Sequence, residues 1–381
     1  MRSNTFIKIA LVLCLPLCIV NCATDNTPQP QPVPNITSPD KLNISWDIGS
    51  LSKSNAGSFV PTFDSDNAIF TADSKGDIFK IDSSDGTIIY EFNIKRKLTA
   101  GTAISSDSIF VASLDDKLLS IDKATHKIKW EVALPTIAIE APHVSGNIVV
   151  IRTNDSSILA YNTENGSLLW VYQRPVPSLT LRVTNSIQIS SSGDVLLAGL
   201  PGGRMVVLNL INGTPIWENY VAIPVGSTDL DKLTDIAMRP VLDDKIICVA
   251  TFNGKIGCMD AITSNIIWSK KFSGTAEILV DTQNVYAISQ DGVVYAFDKN
   301  TGSTVWSNNV LQYRNLGSPA FLNNNIVTVD IQGYINMFNR NDGTLVARDD
   351  SNLVGGTSYP WSNGYKVIMQ SANGEIEAIT Q

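Results

Sequence analysis

The chain contains few of the side chains that build most active sites. Among its 381 residues are two histidines and five cysteines. It has no CxxC pair, no phosphate-binding glycine loop and no motif that joins a nucleophile to a base. Both histidines, His126 and His143, fall in positions that a turn and a strand explain. These absences argue against a nucleotide-dependent or nucleophilic enzyme, and we expect neither a cofactor nor a bound metal.

Positive charge is also scarce. The chain carries 28 lysines and arginines against 36 acidic residues, which gives a formal net charge of −8. An acidic surface disfavours binding to nucleic acid and to anionic lipid headgroups. We therefore expect no nucleic-acid partner, and no membrane contact beyond a covalent anchor.

The N-terminal apolar run is too short to cross a bilayer. It covers residues 9–20, follows the basic residues Arg2 and Lys8, and has the length of a signal-peptide core. It ends just before Cys22, in a sequence that resembles the lipobox where bacterial lipoproteins are cleaved and acylated. The sequence thus predicts a signal peptide over residues 1–21 and lipidation of Cys22.

One departure keeps an alternative open. Asn21 stands where lipoboxes usually have Gly, Ala or Ser, so a plain secretory signal with an incidental cysteine is the competing interpretation.

The residues after Cys22 indicate where the protein would be held. Ala23, in place of an aspartate, favours sorting to the outer membrane by analogy with other lipoproteins. Residues 22–40 are rich in Pro, Gln, Asn and Thr, which predicts a lipidated, semi-extended tether. The expected location is the outer membrane, lipid-anchored and facing the periplasm.

An internal repeat is the strongest signal in the sequence. A turn residue is followed six positions later by Asp or Asn and fourteen positions later by an aromatic residue. The complete sets are Gly76, Asp82 and Tyr90; Asp116, Asp122 and Trp130; Ser156, Asn162 and Trp170; Gly203, Asn209 and Trp217; Gly254, Asp260 and Trp268; and Gly292, Asp298 and Trp306. Each set marks four short strands in about 40 residues, which is the size of a propeller blade.

The last two units are irregular, and they indicate how a ring would close. The seventh has Ala347 in the aromatic position, and the eighth begins at Gly374 and lacks its fourth strand. The segment 42–48 supplies that strand, with Trp46 in the aromatic position. We therefore predict an all-β fold over residues 41–381: an eight-bladed β-propeller of four-stranded antiparallel blades, closed by the N-terminal strand.

The repeat, as in residues 291–306, resembles the pyrroloquinoline-quinone-type propeller repeat, which occurs in quinone dehydrogenases and in non-enzymatic lipoproteins. Two further segments, PSLTLR (177–182) and GSTDLDKLTDI (226–236), resemble the BamB family, lipoproteins of the outer-membrane β-barrel assembly machinery. The resemblance covers residues 40–381. It implies a non-enzymatic scaffold that docks on the periplasmic POTRA domains of BamA, beside other lipoproteins of the machinery, with unfolded outer-membrane proteins as further candidate ligands.

Unequal repeat spacing points independently to the same segments. Successive turn positions lie 38 to 41 residues apart, but Gly203 follows Ser156 by 47 and Gly254 follows Gly203 by 51. The extra residues come after an aromatic strand in each case, so they should lengthen two connections on one face of neighbouring blades. Insertions clustered in this way are candidates for a binding surface.

By motif position, the resemblance places the contacts with BamA at Leu179, Leu181 and Arg182 in the first segment and at Asp235 in the second. Leucines beside an arginine suit an interface of apolar anchors and a bidentate donor. The family usually has another Asp two positions after Asp235, where this chain has Ala237. The resemblance therefore leaves undecided whether the acidic part of the docking site is present in this chain. The competing interpretation is that these residues only stabilise the loops: the leucines would pack within a loop, Arg182 would form a local ion pair, and the aspartates would be solvated.

For the whole protein, the alternative is a quinone-dependent dehydrogenase-like enzyme.

The cysteines outside the leader are Cys248 and Cys258, and an exported chain meets an oxidising compartment. A three-residue loop that ends in a left-handed Gly254 would pair the two cysteines, whereas a two-residue turn would set them on opposite faces. Glycine in the same turn position of other blades favours the longer loop, and with it a disulfide. The alternative is two reduced thiols side by side.

Overall fold

The structure, a computed structural model, describes residues 28–38, 40–49, 51–54, 58–182 and 184–381. In these residues the chain forms eight four-stranded antiparallel sheets, as the repeat predicts. The predicted signal peptide and Cys22 lie outside the described residues. Within the described part, no helix is long and apolar enough to cross a membrane.

The first four blades follow one another along the chain. The first strands of neighbouring blades contact each other, which places them at the centre of the ring. The strands of blades 1 to 4 are β2 (Thr62–Phe63), β3 (Ala68–Ala72), β4 (Asp77–Asp82) and β5 (Ile88–Asn93); β6 (Leu98–Ile104), β7 (Ser108–Ser113), β8 (Lys117–Asp122) and β9 (Ile128–Ala133); β10 (His143–Ser145), β11 (Ile148–Arg152), β12 (Ile158–Asn162) and β13 (Leu168–Tyr172); and β14 (Ile187–Ile189), β15 (Val195–Leu200), β16 (Arg204–Asn209) and β17 (Pro215–Tyr220). A 3₁₀ turn at Pro201–Gly203 joins β15 to β16.

The remaining blades continue this order, and the last one joins the two ends of the chain. Their strands are β18 (Val241–Asp243), β19 (Ile246–Ala250), β20 (Gly254–Asp260) and β21 (Ile266–Phe272); β22 (Leu279–Val280), β23 (Asn284–Ile288), β24 (Val294–Asp298) and β25 (Thr304–Asn308); β26 (Ala320–Leu322), β27 (Asn325–Val329), β28 (Tyr334–Asn339) and β29 (Leu345–Asp350); and β30 (Trp361–Ser362), β31 (Lys366–Gln370), β32 (Ile376–Thr380) and β1 (Asn43–Ile48). Strand β1 pairs antiparallel with β32, so the N-terminal strand closes the ring as predicted.

A hydrophobic cluster fills the space between each pair of neighbouring blades. The cluster between blades 8 and 1, for example, joins Trp46 to Ile69 and Phe79. Because each blade is covered on both faces, its inner strands are mostly buried and apolar, as in β3, where all five residues are buried. The core is therefore continuous around the ring.

Tryptophans of the outer strands fasten six of the eight blades to the next one. Trp170 Nε1 donates a hydrogen bond to the carbonyl oxygen of Leu210 at 2.8 Å. Gly213 lies against the same ring, since a Cβ added to it would come within 2.5 Å of Trp170, and its φ is +70°. Equivalent indole donors are Trp46, Trp130, Trp217, Trp268 and Trp306. The predicted packing role of these aromatics is confirmed.

Two departures from the repeat have structural reasons. His126 replaces the turn glycine with a φ of 59°, and its ring stacks on Phe92 at a centroid distance of 4.2 Å. Ala347 stands where a tryptophan would cover a turn of blade 8. Blade 8 has no such turn, because β32 and β1 come from distant parts of the chain.

The cysteine hairpin has the predicted register but not the predicted turn. Cys248 lies opposite Cys258, and the amide of Thr251 donates to the carbonyl of Lys255 at 2.9 Å. The prediction of a left-handed Gly254 is wrong, because the positive φ, 48°, belongs to Asn253. Asparagine tolerates this conformation, so the loop closes in the same register. The two sulfur atoms lie 2.01 Å apart.

Part of the predicted tether lies against the propeller. Residues 28–38 form no helix or strand. Gln31 donates its amide to the carbonyl of Gln312 at 3.1 Å and accepts a hydrogen bond from Arg314 Nη2 at 2.8 Å. Val33 packs against the cluster between blades 6 and 7. This stretch therefore follows the side of the ring.

Candidate docking site

The predicted insertions form two long connections between neighbouring blades. The first loop, residues 173–186, joins blade 3 to blade 4, and the second loop, residues 221–240, joins blade 4 to blade 5. Both leave their blades at the end that carries the hairpin turns between second and third strands, since Tyr220 pairs with Arg204 at that end. The loops therefore emerge on one face, as the spacing predicts.

Asp235 connects the two loops from inside. One carboxylate oxygen accepts the backbone N–H of Leu181 at 2.6 Å, and the other accepts that of Gly202 at 2.8 Å. Asp235 is only 1% exposed. The expectation of a surface carboxylate is therefore corrected: in this structure Asp235 positions the first loop and does not reach the surface.

Gly202 lies where the loops converge. Its φ is +72°, and a Cβ added to it would lie 3.6 Å from Pro177 Cγ and 4.0 Å from Pro224 Cγ. One proline comes from each loop, so both loops pack over this turn. At the surface, Ser178 Oγ donates to Asp229 at 3.4 Å. The two loops thus form one surface and do not project separately.

A buried arginine contributes positive charge near Asp235. Arg152 is 5% exposed and donates to the carbonyl of Gly199 at 3.2 Å and to Ser156 Oγ at 3.0 Å. Burial raises the pKa of Asp235, while the two backbone N–H groups and the positive charge of Arg152 oppose that rise. Two backbone N–H groups and a positive charge of this chain therefore partly offset the cost of burying the carboxylate.

The other expected contact residues reach the surface to different degrees. Leu179 and Arg182 are exposed, and Leu181 is half-buried. In the part of the chain that the structure describes, no carboxylate pairs with Arg182. Arg182 lines a cavity of about 340 Å³ together with Leu98 and Leu114. A local ion pair therefore does not explain this arginine.

Sequence reasoning missed several apolar side chains on the same face. Ile223, Val225 and Leu230 of the second loop are 71%, 78% and 67% exposed. The available signal was the number of branched apolar residues in the inserted segment. We define the docking surface as the exposed side chains of both loops: Val176, Leu179, Arg182, Ile223, Val225 and Leu230. Exposed apolar residues grouped in this way are typical of interaction sites.

Ala237 lies apart from the docking surface. It lines a cavity of about 240 Å³ together with Asn185 and Glu277. Burial raises the pKa of Glu277 to about 7, although Arg239 opposes the rise, and Asn185 Nδ2 donates to its carboxylate at 2.8 Å. An aspartate at position 237 would add a second carboxylate to this cavity.

Comparisons with known proteins identify the family. The profile of the outer membrane protein assembly factor BamB matches residues 55–308. The outer membrane protein assembly factor BamB of Bordetella pertussis (strain Tohama I) is 32% identical over 96% of this chain and 94% of its own length. The BamB relative from Burkholderia pseudomallei is 29% identical over 96% of both chains.

Solved structures show the fold. BamB from Moraxella catarrhalis superposes with a TM-score of 0.78 at 23% identity, over 90% of this chain and 100% of that one. A quinohemoprotein alcohol dehydrogenase from Comamonas testosteroni gives 0.71 at 14% identity, over 89% of this chain and 76% of that one. The propeller is thus common to both kinds of protein, and the family is decided by the sequence matches. The chain belongs to the BamB family of outer membrane protein assembly factors.

Proposed function

We propose that this protein is a non-enzymatic scaffold lipoprotein of the outer-membrane β-barrel assembly machinery. It is anchored to the outer membrane through Cys22, faces the periplasm and docks on the periplasmic POTRA domains of BamA, where it assists the folding and insertion of outer-membrane proteins. Family membership supports this role. The alternative, a quinone-dependent dehydrogenase, is supported only by similarity of fold. Similarity of fold is weak support, because one fold hosts many functions.

The observation that carries the proposal is the apolar docking surface with Arg182 at its side, an arginine that forms no ion pair with the carboxylates that the structure describes. Exposed apolar side chains bury favourably against a partner, and an arginine without an internal carboxylate can pair with a carboxylate of that partner. The partner surface should therefore combine an apolar patch with an acidic group.

The internal support of the loops makes the surface suitable for binding. Asp235 holds the backbone at Leu181, and Gly202 lies against one proline from each loop. A loop that is already ordered loses less conformational entropy when a partner binds. Asp235 and Leu181 thus contribute to docking as positioning residues, and Leu179 and Arg182 as contacts.

Co-purification with tagged protein from crosslinked cells tests the proposal. The double substitution Leu179→Ala and Arg182→Ala should strongly reduce recovery of BamA, because hot-spot side chains contribute about 1–3 kcal/mol each. Leu168→Ala is the matched control, since Leu168 is 54% exposed but begins β13 at the opposite face of blade 3. Recovery of BamA at the wild-type level with the double variant would show that the site is misplaced.

A further inference from the structure

A second candidate site lies between the outer parts of blades 5 and 6. It is a cavity of about 700 Å³ whose walls come from β21, β24, β25 and the turns beside them. At one edge it adjoins the second loop, where Asn253 Nδ2 donates to the carbonyl of Asp231 at 3.3 Å. Its volume is in the range of ligand-binding pockets. None of the residues of the docking surface lines it.

Aromatic rings form much of the wall. Phe272, Tyr295, Phe297 and Tyr313 all line the cavity. Tyr295 stacks on Phe297 at a centroid distance of 5.4 Å and meets Phe272 edge-on at 6.3 Å. Such a wall favours another aromatic ring, because offset and edge-to-face ring pairs are stabilising beyond the burial of area.

Lys270 and Lys271 both line the cavity, and Lys270 stands beside the aromatic wall. The Lys270 ammonium lies 5.5 Å from the centre of the Phe297 ring and 3.4 Å from Thr304 Oγ1. Among the residues that the structure describes, no carboxylate forms an ion pair with it. The carboxylate of Asp291 also lines the cavity, but it accepts hydrogen bonds from Ser289 Oγ and from Gln312 Nε2. The ammonium is therefore free to bind an added anion.

A free strand edge runs alongside. Strand β21 is the outermost strand of blade 5, and β20 is its only partner among the strands that the structure describes. An exposed edge presents N–H and C=O groups that an extended chain can pair with. A small molecule could not use this edge, so the edge favours a polypeptide as the occupant.

We propose that this cavity binds an extended polypeptide segment that carries an aromatic and a carboxylate side chain two positions apart. The segment pairs with the edge of β21, its aromatic ring enters the cavity, and its carboxylate meets Lys270. The spacing follows from strand geometry, because residues i and i+2 project to the same face. An acidic residue directly next to the aromatic one would project to the opposite face of the segment, away from Lys270.

The test is a titration calorimetry experiment on the full mature protein with acetylated, amidated peptides as long as β21, seven residues. One peptide has Phe and Glu two positions apart, a second has them adjacent, and a third has Gln for Glu. The first should bind about tenfold more tightly than the others, since a hydrogen bond to a charged group contributes about 1.5 kcal/mol or more.

Two lysines of blade 5 supply the protein control. Lys270 shares its strand face with Phe272, whereas Lys255 is an exposed lysine of β20 that does not line the cavity. Lys270→Ala should remove the tenfold preference for Glu over Gln, and Lys255→Ala should keep it. The proposal is overturned if both variants lose the preference equally, if the adjacent pair binds as well, or if no peptide binds. It is also overturned if N-acetylphenylalaninamide alone binds as tightly as the first peptide.

Discussion

The carboxylate of Asp235 accepts the backbone N–H of Leu181 at 2.6 Å, across 54 positions of the sequence. This bond joins the two loops that the repeat spacing marks as insertions. It places the functional importance of Asp235 in the arrangement of the surface and not in direct contact with a partner.

Substitution of Asp235 should therefore weaken docking indirectly, through the loss of loop support. In Asp235→Ala the buried N–H groups of Leu181 and Gly202 lose their acceptors, which costs about 1–3 kcal/mol of folding stability. We expect faster hydrogen exchange at these two amides and weaker docking, although no exposed residue is changed. Asp229→Ala is the control, because Asp229 is exposed and receives only a 3.4 Å bond. Unchanged exchange at Leu181 would contradict the positioning role.

The buried Glu277 predicts a pH-dependent stability. Burial raises its pKa in the folded protein to about 7 from an ordinary value of 4.5. The folded state thus holds this proton more tightly, so the contribution of Glu277 to stability is fully present below about pH 4.5 and is lost as pH rises to about 7. Glu277→Gln should remove this loss, which amounts to about 3 kcal/mol.

Urea denaturation at about pH 5 and pH 8 measures the effect. The free energy of unfolding of Glu277→Gln, relative to the wild type, should increase from the lower to the higher pH. Glu164→Gln changes an exposed turn residue and should leave the wild-type profile unaltered. Parallel profiles for Glu277→Gln and the wild type would show that the Glu277 carboxylate does not titrate as stated.

Lipidation at Cys22 is a prediction from the sequence alone. Acyl chains contribute about 0.8 kcal/mol for each buried CH₂ group, so loss of the modified cysteine should release the protein. We expect Cys22→Ala in the soluble periplasmic fraction and without palmitate label. Continued labelling of this variant would place the modification elsewhere or refute it.

The disulfide can be tested in protein taken from the periplasm. Cys248 and Cys258 are both fully buried, so thiols there would react only after denaturation. We expect no alkylation of these two residues in denatured, unreduced protein and double alkylation after reduction, both read by intact mass. The stabilisation should be modest, since the residues are only 10 positions apart. Two alkylated cysteines without reductant would rule the bond out.

The sequence predicts the ring well because each blade repeats one physical unit. The aromatic position, the turn glycine and the capping Asp or Asn recur together, as Trp170, Gly213 and Asn209 show in the structure. Closure by residues 42–48 follows from the missing strand of blade 8. The irregular positions are harder to predict, because Asn253 replaces Gly254 as the left-handed residue without a change of register.

The candidate site is less predictable than the fold. Motif position indicates the loops, but the burial of Asp235 depends on how two loops pack on Gly202. The exposure of Ile223 and Val225 depends on the same packing. Repeat spacing shows that a loop is long, and it does not show which of its side chains face inward.

Site-specific photocrosslinking at Ile223 tests docking through the loops most directly. Ile262 is the matched control, because the two isoleucines are 71% and 72% exposed on adjoining blades. Ile262 lies in the turn between β20 and β21, on the face opposite to the loops. A photoreactive residue at position 223 should give a crosslink to BamA in cells, and one at position 262 should not. Crosslinks of equal yield at both positions, or at position 262 alone, would contradict docking through this surface.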